Sequence, residues 1–245
     1  MTNTMTNTMN KKYSLSMVFP AYNEQDNVEK LVKDADSIGK NIMDDRYEII
    51  VVDDGSKDHT PAILNRLKTE YPHLVVYTHS PNRGYTAALR TGFTQAKMDL
   101  IFYSDADNQF DLTEIPLLLD RIGDNDIVSG YRNPRIDPWL RIFVSRCFNV
   151  MSHTIFRFPI RDVDCAFKLF RREVFDKITI TSDNFMVDTE IMAKAVLFGM
   201  RVAEVGVTHL PRCAGKTTVK PSDVFKTLRG MYTLWFELKE MKKNK

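Results

Sequence analysis

The sequence predicts an α/β fold: a central, mostly parallel sheet flanked by helices. Three observations predict it. Apolar runs of strand length alternate four times with helical stretches, an order that calls for a parallel sheet and right-handed crossovers. The run Tyr47–Val52 is almost continuously apolar, as in a strand covered on both faces. Polar clusters at Pro20–Glu24, Asp53–Ser56, Asn82–Gly84 and Asp105–Gln109 all follow predicted strands. Ligands of parallel sheets sit at the carboxyl ends of the strands, so four such clusters on one edge suggest one site.

The elements follow in order. Residues 14–19 form a first strand, and Pro20–Glu24 turns out of it. Asn23 is a candidate cap for a helix carrying Val28, Leu31, Val32, Ala35 and Ile38. After strand 47–52, Ser56 or Asp58 is placed to cap a helix through Ile63, Leu64 and Leu67. Leu74–Tyr77 is a third strand, and Asn82–Tyr85 opens a helix through Ala87 to Phe93. Leu100–Ser104 is a short buried strand leading into Asp105–Gln109. Helix 112–122, strand 126–129, a helix within 137–158, strand 166–170, a helix ending near Gly199, strand 202–208 and helix 222–241 complete the chain. Asp188 and Glu190 fall early in the helix before Gly199, where a solvated face is expected for Glu190.

The 245 residues, 43% hydrophobic and 27% charged, suit one substantial core. The expected layout is a disordered tail over 1–12 and a single domain over 13–245. The polar opening repeat lacks the pattern of a signal peptide, and no stretch suits a transmembrane helix. Three widely spaced cysteines suggest a reduced, cytoplasmic setting rather than zinc or disulfides. The net charge of +2 is uneven, since residues 132–172 and 212–245 each carry nine Lys/Arg against three Asp/Glu. Such segments, 137–158 and 222–243 above all, fit an anionic ligand, a membrane surface, nucleic acid or merely solvated faces. No nucleic-acid-binding module is recognisable, so no nucleic acid partner is expected.

Asp105 and Asp107, two apart after a strand, can turn toward one point, and Gln109 adds a neutral oxygen. Hard oxygens of this kind suit Mg²⁺ or Mn²⁺ with room left for phosphates. Alternatively, Asp105 starts a turn and Asp107 or Asp111 caps the next helix.

The motifs Val-Phe-Pro-Ala-Tyr-Asn-Glu, Ile-Ile-Val-Val-Asp-Asp-Gly-Ser, Asn-Arg-Gly-Tyr-Thr-Ala-Ala-Leu, Asp-Ala-Asp-Asn-Gln, Ser-Gly-Tyr-Arg and Asp-Val-Asp-Cys-Ala-Phe-Lys-Leu-Phe occur in that order across roughly residues 14–220. This order resembles the family 2 glycosyltransferases, and within them the dolichol-phosphate mannose synthase type. The resemblance implies a GT-A fold with a Rossmann-like nucleotide-binding half. It implies transfer of a hexose, with inversion, from a nucleotide sugar (GDP-mannose or UDP-glucose) to a polyprenyl phosphate such as dolichyl or undecaprenyl phosphate. It places Pro20, Ala21, Tyr22, Glu24, Asp53, Asp54, Gly84, Asp105, Ala106 and Asp107 around the donor. Mg²⁺ or Mn²⁺ would sit on Asp105, Asp107 and Gln109, where it neutralises the departing diphosphate. For Asp53 and Asp54 the other reading is an ordinary turn before a capped helix.

Asp107, Arg132 and Asp162 are the implied catalytic residues, with Asp162 orienting acceptor or sugar. A phosphate monoester is largely deprotonated near neutral pH, so its acceptor site needs cations more than a base. Arg132, Arg141, Arg146, Arg212 and Lys216 are the candidates. The chain departs from the family pattern in two places. Cys165 and Ala166 stand in the Asp-x-x-Gly-x-Phe pattern, and Arg212-Cys-Ala-Gly-Lys-Thr-Thr lacks the last lysine of Arg-x-x-Gly-x-Ser-Lys, for which Lys216 or Lys220 could substitute. A bilayer-borne acceptor implies a peripheral position on the cytoplasmic membrane face, or docking on a membrane protein. A glycan or small-molecule acceptor, needing a dedicated base, is the alternative. A non-catalytic nucleotide-sugar-binding scaffold is a further one.

Overall fold

The structure, a computed structural model, describes residues 13–134, 139–158, 160–182, 186–211 and 223–243, with the backbone alone at 139–141, 143–144 and 223–228. The expectation of a disordered tail over 1–12 lies outside the described residues.

Seven strands form one sheet in the order β3-β2-β1-β4-β6-β5-β7. They are β1 (Leu15–Ala21), β2 (Tyr47–Asp53), β3 (Leu74–Thr78), β4 (Leu100–Ser104), β5 (Ile127–Arg132), β6 (Phe167–Arg171) and β7 (Val202–Val207). β1 to β4 are mutually parallel, and β5 is parallel to β7. β6 enters between β4 and β5 and runs antiparallel to both, with Ser104 opposite Phe167. This reversal brings the residues just before Phe167 to the carboxyl end of β4.

The described helices are α1 (Val28–Met43), α2 (Thr60–Glu70), α3 (Tyr85–Gln95), α4 (Ile115–Ile122), α5 (Trp139–Phe156), the single turn α6 (Val174–Lys177), α7 (Val187–Leu197) and α8 (Asp223–Lys243). Side chains alternate across the sheet, so Met17, Ile49 and Phe102 meet α1, α2 and α4 on one face. Val18, Ile50 and Tyr103 meet α3, α7 and α8 on the other. Both faces are therefore covered, as the apolar run of β2 requires.

Three local expectations are revised. Pro20 and Ala21 do not turn out of β1. They are buried within it, paired with Val52 and Asp53, and the chain leaves the sheet at Tyr22. Asn23 does not cap a helix. It adopts a left-handed conformation, which asparagine tolerates, and its Oδ1 accepts from Lys57 N at 2.8 Å. Helix α1 starts later, at Val28, on the Glu24 carbonyl. Glu190 does not face solvent. It is fully buried, because Lys194 one turn on and the Thr181 and Ser182 amides supply its hydrogen bonds.

Candidate active site

The carboxyl ends of β1, β2 and β4 form one edge of the sheet. Tyr22 stands exposed there, while Glu24 is partly buried and accepts from Asn27 Nδ2 at 2.6 Å. Ser56 Oγ accepts from Asn23 N and Asp58 Oδ2 from Gln25 N, so the two loops are stitched together. Asp58 Oδ1 also accepts from Thr60 N, the first amide of α2, but the N-cap position belongs to His59 rather than to Ser56 or Asp58. Asp53 ends β2 with no exposed surface. Its Oδ1 accepts from Ser56 N at 3.0 Å, and its Oδ2 has no hydrogen-bond partner among the described residues. A buried carboxylate oxygen without a donor fits one that a ligand supplies.

Asp54 differs from its neighbour and from the expectation of direct nucleotide contact. Its Oδ1 accepts from His79 Nδ1 at 2.7 Å and Arg83 N at 2.9 Å, and its Oδ2 accepts from Gly84 N at 2.7 Å. It shapes the loop that opens α3. That loop needs a glycine within it and another on the loop after β2 that packs against it. Gly84 has φ +92, and a Cβ on Gly55, which has φ +71, would lie 2.8 Å from Asn82 N.

β4 delivers Asp105 and Asp107. Asp105 is partly exposed, and its Oδ1 accepts from Tyr85 Oη at 2.8 Å. Burial, then the Asp105 charge, raises the Tyr85 pKa well above its usual value, so the phenol remains a donor. Ala106 and Asp107 are buried, and Asp107 Oδ1 accepts from Gln109 N at 3.1 Å. Gln109 Nε2 donates to Leu210 O at 3.2 Å, which fixes its amide plane against the strip after β7. Asp111 caps the short 3-10 turn Leu112–Glu114 through Thr113 N, so the capping reading goes to Asp111. No three His, Cys, Asp or Glu side chains among the described residues converge on a metal position. The candidate donor set is two carboxylates with the Gln109 amide oxygen, hard ligands suited to Mg²⁺ or Mn²⁺.

The antiparallel entry of β6 places a second group of charges beside this edge. Arg132, at the end of β5, grips Asp162 bidentately, with Nε–Oδ2 and Nη2–Oδ1 both at 2.7 Å. Burial works against the Arg132 charge, but the Asp162 hydrogen bond and charge outweigh it and raise its pKa. The expectation of Arg132 as a ready phosphate cation is thus revised, since its fork already holds a carboxylate. Arg146 is exposed on α5. The Arg141 side chain, Arg212 and Lys216 lie outside the described residues. Cys165 is buried, and burial pushes its thiol up to about 12, so it is inert.

Sequence reasoning missed Tyr85, Tyr103, Lys168, Asp188 and Asp164. Lys168 is wholly buried in β6, and its Nζ donates to Asp188 Oδ1 at 2.7 Å; the Tyr103 hydroxyl donates to the same oxygen. A lysine inside the apolar run Phe167–Phe170 was the legible signal, since such a residue needs a buried partner.

The comparisons with known proteins agree with this geometry. The Glycosyl transferase family 2 model matches residues 16–179. The Haloferax volcanii protein named glycosyltransferase AglD is 32% identical over an alignment of 226 positions that covers 89% of this chain and 35% of that protein, so the chain spans about a third of that relative. Among solved structures, Mycobacterium tuberculosis glucosyl-3-phosphoglycerate synthase, in complex with Mn²⁺, UDP and glucosyl-3-phosphoglycerate, superposes with a TM-score of 0.72 at 15% identity, covering 95% of this chain and 82% of that one. The mannosyltransferase PcManGT from Pyrobaculum calidifontis, in complex with GDP-Man and Mn²⁺, gives 0.64 at 20% identity, with 83% and 58% covered. These neighbours share the GT-A fold seen here, with the carboxyl ends of its parallel strands gathered at one edge. The chain belongs to glycosyl transferase family 2.

Proposed function

We propose that the chain transfers a hexose from a nucleotide sugar to a polyprenyl phosphate at a membrane surface. The family and the nucleotide complexes of the structural neighbours support the donor half. Asp53, with its unmatched Oδ2, and the partly buried Glu24 receive the base and ribose of the donor. Asp105, Asp107 and Gln109 hold Mg²⁺ or Mn²⁺. When bound, the metal neutralises the leaving diphosphate and orients it. Tyr85 fixes the Asp105 carboxylate, and the Leu210 carbonyl fixes the Gln109 amide, so both present oxygen with little reorganisation. The acceptor phosphate oxygen attacks the anomeric carbon in line, giving a β-linked product.

The observation that carries the acceptor half is α8. Met231, Leu234 and Leu238 pack into the core. Tyr232, Trp235 and Phe236 stand outward, 63%, 39% and 43% exposed, as a contiguous aromatic cluster. Lys239 lies over the Trp235 ring, and Lys242 and Lys243 are exposed just beyond. No helix among the described residues is long and apolar enough to cross a membrane. An aromatic face edged by lysines suits the interface of an anionic bilayer, and it supports a peripheral position on the cytoplasmic face.

The test is sedimentation with vesicles containing anionic lipid. Replacing Tyr232, Trp235 and Phe236 by serine is expected to weaken binding at least about tenfold while leaving the fold intact, given the exposure of all three. Undiminished binding by the triple variant contradicts the membrane part. A hydroxyl acceptor is the second reading, favoured by the engagement of Arg132 with Asp162.

A further inference from the structure

Asp164 lies on the loop that the antiparallel β6 brings to the carboxyl end of β4. The carbonyls on either side of it, Val163 O and Cys165 O, both accept from Lys168 Nζ, at 2.9 and 2.5 Å. The loop is thus anchored by a buried ammonium that Asp188 holds in turn. Asp164 itself is partly exposed and hydrogen-bonds to no described residue. A rigid loop with an uncompensated carboxylate at an active-site edge is a position made for a ligand.

Among the described residues, the charged groups acting most on Asp164 are Asp188 from α7, Asp162 on its own loop, Arg132 from β5 and Lys168 from β6. Arg132 is paired with Asp162, and Lys168 with Asp188. Neither cation is dedicated to Asp164, whose carboxyl takes no hydrogen bond from a described residue. Burial, then the Asp188 and Asp162 charges, pushes its carboxyl up to about 7, against the pull of Arg132 and Lys168. An acceptor phosphate, with a second pKa near 6, arrives close to doubly charged at neutral pH. Two like charges sharing a site do not both remain ionised.

We infer that Asp164 binds the acceptor as a neutral carboxylic acid, taking one proton from water as the acceptor phosphate enters and donating a hydrogen bond to it. This rests on the polyprenyl phosphate reading. In the transfer, the bond from the anomeric carbon to the donor diphosphate breaks, and its electron pair leaves with the nucleoside diphosphate. The bond to the acceptor phosphate oxygen forms. The product is a phosphodiester with one negative charge, so the repulsion falls and the proton returns to water on release.

The experiment measures the KM for a polyprenyl phosphate in detergent from pH 6.5 to 8.5, with the full chain, saturating donor and Mg²⁺. The wild-type KM is expected to rise by about tenfold per pH unit above roughly 7.5, the slope of one linked proton. Asp164→Asn keeps an N–H donor but never ionises, so its acceptor KM stays flat, and the donor KM carries no such slope in either protein. Calorimetry of wild-type acceptor binding at pH 8, in two buffers of different ionisation enthalpy, is expected to show uptake of about one proton. That reading does not depend on the variant folding. Transfer to polyprenyl phosphate with a flat wild-type KM and no proton uptake overturns the inference and leaves the acceptor reading standing. Transfer to hydroxyl acceptors alone, with Asp164→Asn inactive, overturns the acceptor reading and the inference with it, and makes Asp164 a general base.

Discussion

The Arg132–Asp162 pair offers a quantitative check on what holds the loop before β6 to the end of β5. The side chains are 7% and 10% exposed, and the closest contact is 2.7 Å. At an effective dielectric near 20, unit charges at that distance attract by about 6 kcal/mol, most of it offset by desolvation. Arg132→Ala leaves Asp162 buried without its guanidinium and is expected to cost about 3–5 kcal/mol. Asp162→Ala is expected to cost less, because the Asp164 charge still faces Arg132. The double variant removes both charges and is expected to be more stable than Arg132→Ala alone. With a urea slope of roughly 3 kcal/mol per M, the Arg132→Ala midpoint falls by about 1–1.7 M. Urea denaturation of the four proteins, followed by circular dichroism, closes the cycle. A loss below about 1 kcal/mol in Arg132→Ala, or additivity within about 0.5 kcal/mol, refutes the pairing as the structural reason for Arg132.

Two further outcomes follow from the hydrogen-bond geometry. Tyr85→Phe removes the donor that orients Asp105, and Mn²⁺ affinity is expected to fall about 10–100-fold with the fold intact, as read by Mn²⁺ titration. In Glu190, burial favours the neutral acid, but the Lys194, Ser182 and Thr181 hydrogen bonds outweigh it, so the pKa is lowered in the folded state. The stabilisation is therefore complete above the unfolded carboxyl pKa of about 4.3 and is lost as pH falls through the lower folded value. Glu190→Gln is expected to cost about 2–3 kcal/mol at pH 7, tempered because Lys194 keeps Glu237 at 2.9 Å, and the deficit shrinks below pH 4. Thermal denaturation across pH reads both.

Much of the fold was legible because buried strands must be apolar. Tyr47–Val52 and Leu100–Ser104 both sit in the sheet where their composition places them. The four polar clusters follow from the same rule, since a parallel sheet gathers its strand ends on one edge. The direction of β6 was not legible, because Phe167–Arg171 reads the same in either orientation. With that direction hidden, the encounter of its preceding loop with the end of β4 was hidden too. Arg132 and Asp162 were each assigned to ligand, and their union across 30 positions of sequence leaves no local signature. Tyr85 was read only as part of a helix start, since nothing in Gly84-Tyr85 announces that its hydroxyl reaches Asp105, 20 residues on.

The most direct measurement is transfer from radiolabelled GDP-mannose and UDP-glucose, with Mg²⁺ or Mn²⁺, to polyprenyl phosphate in detergent and to water-soluble acceptors in parallel. Label is expected in the lipid with at least one donor, to require the metal, and to vanish in a folded Asp107→Ala protein. Donor binding without transfer to any acceptor, or full activity of Asp107→Ala, contradicts it.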